Sequence, residues 1–326
     1  MESIRKLIKE KIPHSIMMRI VQSSLSLPPT ISRFLIADFT APTRSQRQWI
    51  KMIQQPHWKG AWIGPALSLC ENDNQLSKRI HDADLIIFNV HGGAFRIGHC
   101  TMYMDVFTNW IHLLKEIHDI DALILSIEYS LAPEHMYPTP VLECVAAYEY
   151  LTYTLKVPGS KIILSGDSAG GALCLETLIR VYAPEILRDL SSPRTNHAIQ
   201  LPAGLFLVSP LVSANISTWL WQYKEDLVTP LLATRVLKEY LNLPDAQDKE
   251  DELHLLKLSQ IDSDFHRFLP SHVLVYVGQR EVMRDDILKM VNAIQQDHGH
   301  PKDRIKVQVR QENYEHDWYF IREVVR

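Results

Sequence analysis

The apolar residues of this chain gather in short runs along its middle and its end. Five runs are almost continuously apolar and rich in Ile, Leu and Val, and a sixth alternates apolar with polar residues. Short continuous runs are typical of parallel strands that are covered on both faces of a sheet. The pattern therefore predicts strands at residues 85–90, 122–127, 161–165, 204–208, 272–277 and 305–309.

Segments with helical spacing lie between these predicted strands. In residues 141–155, for example, apolar side chains recur at 141, 142, 145, 146, 148 and 151. We predict further helices at 106–117, 172–182 and 287–294. Strands that alternate with helices require right-handed crossovers, so the fold class is α/β, with a mostly parallel central sheet flanked by helices.

Two regions depart from this alternation. Residues 1–50 have the pattern of amphipathic helices, and residues 211–268 combine Trp219 and Trp221 with an acidic run at 245–252. We expect a catalytic domain over residues 51–326 with a cap insertion at about 211–268. The N-terminal helices within 1–50 are expected to contribute to the same helical cap.

Composition narrows the class of protein. The 326 residues carry 34 basic and 38 acidic side chains, and 46% are hydrophobic, which excludes wholesale disorder and gives no electrostatic footprint for nucleic acid. The four cysteines lie far apart, which excludes a zinc ribbon and favours reduced thiols. No signal-peptide pattern or membrane-spanning run is seen, so we expect a cytoplasmic location and no transmembrane segment.

Glycine is scarce but concentrated. Six of the 12 glycines fall within 92–98 and 166–171. The second stretch contains Gly166-Asp-Ser168-Ala-Gly170, a G-x-S-x-G pattern directly after a predicted strand and before a predicted helix. At such a strand-to-helix turn the serine backbone is strained and its neighbours must lack bulk. The pattern identifies Ser168 as a candidate nucleophile.

The other glycine stretch follows the predicted strand 85–90. In His91-Gly-Gly-Ala94, small residues leave backbone N–H groups free to converge on one point. We expect the N–H groups of Gly92, Gly93 and Ala94, with that of Ala169 after the serine, to form an oxyanion hole.

A catalytic acid and then a histidine must follow the serine along the chain. His316 lies just beyond the last predicted strand, where a loop would return to the sheet edge, and is the expected base. Glu281 lies three residues after Gly278, at the end of the strand 272–277, and is the preferred acid. Asp285 is the alternative, although it is well placed to begin the next helix.

These motifs resemble those of the hormone-sensitive-lipase-like family of α/β-hydrolase fold carboxylesterases. Residues 91–96 are similar to its HGGGF segment, 129–135 to its YRLAPEH motif, and 166–171 to its GDSAGG elbow; Ser209-Pro210 resembles the family's serine-proline after a central strand. The resemblance implies a triad of Ser168, Glu281 and His316 beneath a helical cap. It also implies ester hydrolysis without a cofactor or a metal.

Three positions depart from the family pattern. Ala94 replaces a third glycine, which keeps the N–H but adds a methyl group to the pocket. Ser130 replaces an arginine, which bears on local packing, and Glu281 stands where many members carry aspartate. Residues 59–64 and the sequence His316-Asp-Trp are similar to fungal members, some of which deacetylate sterols or act on secondary metabolites.

The sequence predicts a serine carboxylesterase that acts on a small-molecule ester. Two alternatives stay open. An acyltransferase would use the same triad but pass the acyl group to a bound alcohol or amine. A ligand-binding receptor could have evolved from the same fold, although such receptors typically lose the serine or the histidine. No nucleic-acid partner is expected, and a homodimer is left open.

Overall fold

A single sheet of eight strands organises the chain. The computed structural model describes residues 14–186, 200–241, 258–297 and 305–320. The strands are β1 (Ile50–Gln55), β2 (Trp58–Ile63), β3 (Leu85–Val90), β4 (Ala122–Ile127), β5 (Ile162–Asp167), β6 (Gly204–Val208), β7 (His272–Gly278) and β8 (Lys306–Glu312). Their order is β1-β2-β4-β3-β5-β6-β7-β8. β2 pairs antiparallel with β1 and with β4, and the other five strand pairs are parallel, so the predicted α/β class is confirmed.

Helices cover both faces of this sheet. Within the described ranges they are α1 (His14–Leu25), α2 (Pro29–Phe39), α3 (Arg44–Arg47), α4 (Asp73–Asp82), α5 (Met104–His118), α6 (Thr139–Glu149), α7 (Ala169–Tyr182), α8 (Pro230–Leu241) and α9 (Arg284–Gln296). Phe107 of α5 packs in one apolar cluster, and Tyr148 of α6 packs with Leu178 of α7 in the other. Burial of such side chains on both faces explains why the central strands are continuously apolar.

The hairpin of β1 and β2 is absent from the pattern-based prediction. It lies at the edge of the sheet, and in β1 partly buried positions alternate with exposed ones such as Met52 and Gln54. An edge strand covered on one face lacks the continuous apolar run that marks the central strands.

The predicted helix 141–155 is a regular α-helix only to Glu149, and it continues as a π-helical turn, Tyr150–Thr154.

The carboxyl ends of four parallel strands bring the candidate chemistry to one edge of the sheet. β3 ends immediately before His91, and β5 ends immediately before Ser168. β7 ends three residues before Glu281, and β8 ends four residues before His316. Because these strands are parallel and neighbouring, their exit loops meet at the same place, where ligands of open α/β sheets bind.

Helices α1, α2 and α8 all line the cavity at this edge, and hydrogen bonds join α1 and the loop after it to α8 and the loop before it. Gln22 Nε2 donates to the carbonyl oxygen of Asp226 at 3.0 Å, and Arg235 Nη1 donates to that of Ser26 at 2.8 Å. Residues 1–13 and 242–257 of the predicted cap lie outside the described residues, so the cap boundaries stay a prediction. Among the helices described, none has the length and apolar character needed to cross a membrane.

Candidate active site

The turn between β5 and α7 holds Ser168 in a strained backbone conformation. Its φ is 48° and its ψ is −116°, a region that side-chain-bearing residues rarely adopt. The turn requires bare backbone two residues later, because a Cβ on Gly170 would overlap the carbonyl oxygen of Val90. The strain and the close approach together project the Ser168 hydroxyl above the sheet edge.

His316 meets this serine across 148 residues of sequence. Its Nε2 lies 2.9 Å from Ser168 Oγ, and the histidine is 2% exposed. Burial lowers the pKa of His316 to about 3 because the charged imidazolium loses its hydration. The ring is therefore neutral at neutral pH and can accept the serine proton at Nε2.

Glu281 is fully buried next to the histidine loop. Its Oε2 accepts hydrogen bonds from Ser209 Oγ at 2.6 Å and from the Gly278 N–H at 2.9 Å. Its other oxygen, Oε1, is buried without a hydrogen-bond partner in the described part of the chain, and the same holds for His316 Nδ1. Burial raises the pKa of Glu281 to about 8. The structure thus leaves one free acceptor atom and one free ring nitrogen at this end of the site.

Asp285, the alternative acid, lies elsewhere. It is in the first turn of α9, its side chain is 52% exposed, and it pairs with Arg284 at 2.9 Å. A carboxylate at this position favours the helix dipole. Its surroundings are those of a solvated helix terminus, so Glu281 is the acid that the geometry favours.

The structure corrects one expectation for the oxyanion hole. The Gly92 N–H donates to Asp167 Oδ1 at 2.9 Å, so it is engaged inside the protein and is not available to a substrate. Gly93 and Ala94, with φ values of 104° and 58°, line the same cavity as Ser168. Ala169 is the first residue of α7, where backbone N–H groups lack helical partners. Of the expected donors, those of Gly93, Ala94 and Ala169 stay candidates.

Buried contacts hold the glycine turn in place. Tyr129 Oη donates to the carbonyl oxygen of His91 at 2.9 Å, and the two rings stack with centroids 4.3 Å apart. Asp167 also accepts from Tyr103 Oη at 2.6 Å. The first residue of the 129–135 motif thus supports the oxyanion turn. At the departure from the family motif, Ser130 Oγ and N–H both donate to the carboxylate of Glu143, at 2.6 Å each.

Two buried carboxyl groups of the site escaped the sequence reasoning. Asp317 Oδ2 lies 3.3 Å from His316 Nε2, and the side chain is 8% exposed. Asp226 accepts from the N–H groups of Val228 and Val282, and burial raises its pKa to about 7. Adjacency to His316 could have pointed to Asp317. Nothing in the local sequence distinguishes Asp226 from the other acids of its region.

An apolar cavity of about 110 Å³ opens onto Ser168 Oγ. Both segments of the expected cap contribute side chains to it. They are Val21 and Leu25 from α1, Ile36 and Phe39 from α2, Leu227 and Val228 from the segment that leads into α8, and Leu232 from α8 itself. Asp317 and Tyr103 are among the few polar groups in the wall. The cavity can therefore hold a small apolar group beside the nucleophile.

Known proteins match this chain over most of its length. The family described as alpha/beta hydrolase fold matches residues 87–318. An esterase of Acinetobacter venetianus is 28% identical over 211 residues, which are 63% of this chain and 59% of that protein. Hormone-sensitive lipase of Mus musculus is 28% identical over 195 residues, 58% of this chain and 22% of the lipase. The chain thus spans less than two thirds of the length of these curated relatives.

Solved structures share the whole architecture. A hormone-sensitive lipase from a metagenome library superposes with a TM-score of 0.66 at 19% identity, covering 95% of this chain and 91% of that one. EstE5 soaked by ethyl alcohol superposes with a TM-score of 0.65 at 21% identity, covering 99% and 91%. These likenesses show the fold, and the family match spans more than half of the chain. The chain therefore belongs to the α/β-hydrolase fold family, among its hormone-sensitive-lipase-like members.

Proposed function

We propose that the chain hydrolyses carboxylic esters through an acyl-enzyme on Ser168. The observation that carries this proposal is the 2.9 Å contact between Ser168 Oγ and the neutral, buried His316 at a strained elbow. Nucleophile and base within hydrogen-bond reach are the signature of serine catalysis. The relatives are esterases and lipases, which favours hydrolysis over acyl transfer and over a receptor function.

In the acylation step, Ser168 Oγ attacks the ester carbonyl carbon while His316 Nε2 takes the serine proton. The negative charge that develops on the carbonyl oxygen is stabilised by the N–H groups of Gly93, Ala94 and Ala169, each worth roughly 3–4 kcal/mol. Glu281 acts as the third member of the triad. Glu281 Oε1 and His316 Nδ1 are both buried without a hydrogen-bond partner among the described residues, and we infer that Nδ1–H donates to Oε1 in the reacting complex, which fixes the tautomer that leaves Nε2 able to act as a base.

In the second step, water replaces the alcohol. His316 withdraws a proton from the water as it attacks the acyl carbon, and the same three N–H groups hold the second oxyanion. Collapse of the intermediate returns the proton to Ser168 Oγ and releases the carboxylic acid. The cycle needs only residues of this chain and a water molecule.

The substrate that fits best is a small-molecule ester with a short acyl chain. The cavity of about 110 Å³ beside Ser168 is smaller than the ~150 Å³ apolar cavity that accepts benzene. Its walls are mainly aliphatic, so a charged acyl group would be desolvated without a partner. We expect acetyl to butyryl esters to be turned over better than octanoyl esters.

The test compares wild type, Ser168→Ala and the control Ser263→Ala on p-nitrophenyl acetate, butyrate and octanoate. Ser263 is exposed and outside the cavity, so its replacement should leave kcat unchanged. Loss of the nucleophile should lower kcat by about 10⁴-fold or more. Full turnover by Ser168→Ala would refute the assignment, and a preference for octanoate would refute the short-chain proposal.

Two further proposals concern the state of the protein in the cell. A homodimer remains a prediction, which light scattering on the purified chain would test. A cytoplasmic location also remains a prediction, and cell fractionation would test it. The small-molecule ester is the one partner that the proposed reaction requires.

A further inference from the structure

Arg96 is a buried cation that no step of the proposed hydrolysis uses. It lies two residues after Ala94, and it is 3% exposed. Its backbone N–H donates to the carbonyl oxygen of Gly93 at 3.0 Å, so it belongs to the turn that carries two of the candidate oxyanion donors. A buried charge is tolerated only when it is paired and hydrogen-bonded. The partners of its guanidinium group therefore show which parts of the fold it holds together.

The guanidinium group joins two helices of the cap to this turn. Its Nε donates to Glu239 Oε2 on α8 at 2.8 Å, in an ion pair whose glutamate side chain is 23% exposed. Its Nη1 donates at 2.7 Å to the carbonyl oxygen of Leu25, the last residue of α1. The last carbonyl groups of a helix lack helical partners, so this bond satisfies the end of α1. One side chain thus sets how α1 and α8 lie against the turn.

The third helix of the cap meets the same residue through the backbone. Arg33 of α2 donates from its Nε to the carbonyl oxygen of Arg96 at 2.9 Å. The preceding residue adds an aromatic contact, because the ring of Phe95 stacks on that of Tyr240 in α8 with centroids 3.7 Å apart. Arg96 therefore makes hydrogen bonds with each of the three helices that line the cavity.

Two of these bonds lie close to residues that limit the cavity. Leu25, whose carbonyl oxygen binds Arg96, is itself one of the lining residues. On α8 a lining residue is Leu232, seven residues before Glu239. Seven residues are about two helical turns, so Leu232 and Glu239 share a face of α8. Movement of either helix away from Arg96 would carry its leucine with it and widen the space beside Ser168.

We propose that Arg96 is a positioning residue that sets the acyl-chain limit of the site. It holds α1 and α8 against the oxyanion turn, and the cavity lined by these elements has a volume of about 110 Å³. The proposal rests on the ester hydrolysis proposed above and assigns its chain-length preference to one side chain. Arg96 is not among the lining residues, so it acts on the acyl group through Leu25 and through α8.

The test removes the guanidinium group and measures chain-length selectivity. Arg96→Met keeps an apolar stem but loses the bonds to Leu25 and Glu239, which frees α1 and α8 to move from the turn. Each additional methylene group that a wider cavity buries favours the longer ester about fourfold. We expect the ratio of kcat/KM for p-nitrophenyl octanoate to that for the butyrate to rise about tenfold or more. This ratio does not depend on the fraction of active enzyme, so partial unfolding alone leaves it unchanged.

Two substitutions at Glu239 test the bond from the side of α8. Glu239→Ala releases that helix but leaves the bond between Arg96 and Leu25, so the ratio should rise about threefold or more. Glu239→Gln keeps an oxygen that accepts from Arg96 Nε, and its ratio should stay within about twofold of wild type. An equal rise in both variants would overturn the positioning role. These variants carry the test if Arg96→Met does not fold.

The matched control is Arg180→Met, the same change at a second buried ion pair. Arg180 Nε donates to Glu176 Oε1 at 2.7 Å, and the two side chains are 6% and 5% exposed. Both residues belong to α7, and neither lines the cavity. Arg180→Met should lower the free energy of unfolding, as Arg96→Met should, but keep the wild-type ratio. A rise of similar size in the control would overturn the proposal, since any loosened ion pair would then have the same effect.

The outcomes separate this proposal from the proposed function. An unchanged or lower ratio in Arg96→Met and in Glu239→Ala, with Ser168-dependent turnover intact, would overturn the role of Arg96 and leave the esterase proposal standing. Full turnover by Ser168→Ala would instead overturn the proposed function itself.

Discussion

Replacing Glu281 by glutamine separates the tautomer role of the acid from its packing role. Glu281 Oε2 accepts from Ser209 and from the Gly278 N–H, so a glutamine must place its carbonyl oxygen there. The amide NH₂ then takes the position of Oε1 and presents a donor where the proposed mechanism needs an acceptor. His316 Nδ1 would lose its proton to become the acceptor, and Nε2 would carry the proton. In that tautomer the ring cannot accept a proton from Ser168.

The expected loss in kcat follows from this exchange of the His316 tautomer. A carboxylate-to-amide change in a serine triad that leaves the geometry intact lowers kcat by about 10⁴-fold, through the wrong tautomer. That factor corresponds to about 5 kcal/mol of lost transition-state stabilisation. Both hydrogen bonds to the remaining oxygen survive, so the activity should fall without unfolding the protein.

The same substitution, which lowers activity, should raise the free energy of unfolding, and the gain should depend on pH. The pKa of Glu281 is raised by burial from its ordinary 4.5 to about 8, so between these values the unfolded chain releases a proton that the folded chain keeps. Wild-type stability therefore falls as the pH rises through this window, and glutamine removes that loss. The free energy of unfolding of Glu281→Gln should gain on wild type by on the order of 1 kcal/mol per pH unit from pH 5 to pH 7.

The assay measures kcat for p-nitrophenyl butyrate at pH 8 and urea unfolding at pH 5 and pH 7. The control is Asp285→Asn, which makes the corresponding change at the exposed rival carboxylate and should keep kcat within about twofold of wild type. A loss in Asp285→Asn with little loss in Glu281→Gln would refute the assignment of the acid. A stability difference that does not grow with pH would refute the burial argument.

Three other outcomes are expected. The kcat/KM of the wild type should rise with pH through an ionisation near 8, because the mechanism needs the Glu281 carboxylate; a rise that is complete below pH 6 would contradict this. In Ser209→Ala, the Asp317 N–H and Glu281 both lose a buried partner, so urea unfolding should show a loss of about 3 kcal/mol together with reduced turnover. Gly170→Ala should fail to give soluble enzyme because its Cβ would overlap the carbonyl oxygen at the end of β3, whereas Gly204→Ala, whose Cβ meets nothing closer than 3.6 Å, should fold and hydrolyse esters normally.

The sequence predicted the frame of this site through local rules. Continuous apolar runs located five strands, since a parallel strand covered on both faces is apolar on both sides, and an alternating run located β8 at the edge of the sheet. The G-x-S-x-G pattern located the elbow, because Ser168 with a φ of 48° needs bare neighbours. Chain order pointed to an acid and to His316 beyond the ends of β7 and β8. Each inference needed only the requirements of a few adjacent residues.

The details of the site depended on contacts between distant residues. The sequence predicted Gly92 as an oxyanion donor, but its N–H is engaged by Asp167, 75 residues away. The N-terminal helices line the cavity with the segment before α8, although more than 200 residues separate Gln22 from Asp226. Glu281 is fully buried before α9, whereas Asp285, in the first turn of that helix, has a side chain that is 52% exposed.

The sequence by itself therefore determined the fold class, and it pointed to the proposed nucleophile and to the order of the proposed catalytic groups. Hydrophobic periodicity and the steric requirements of single turns are enough to predict these features. The tertiary structure alone decided that the Gly92 N–H is engaged by Asp167, how large the cavity is, and that the Asp317 carboxyl group lies 3.3 Å from His316 Nε2. Those properties depend on burial and on distances across the fold, and no local pattern of residues encodes them.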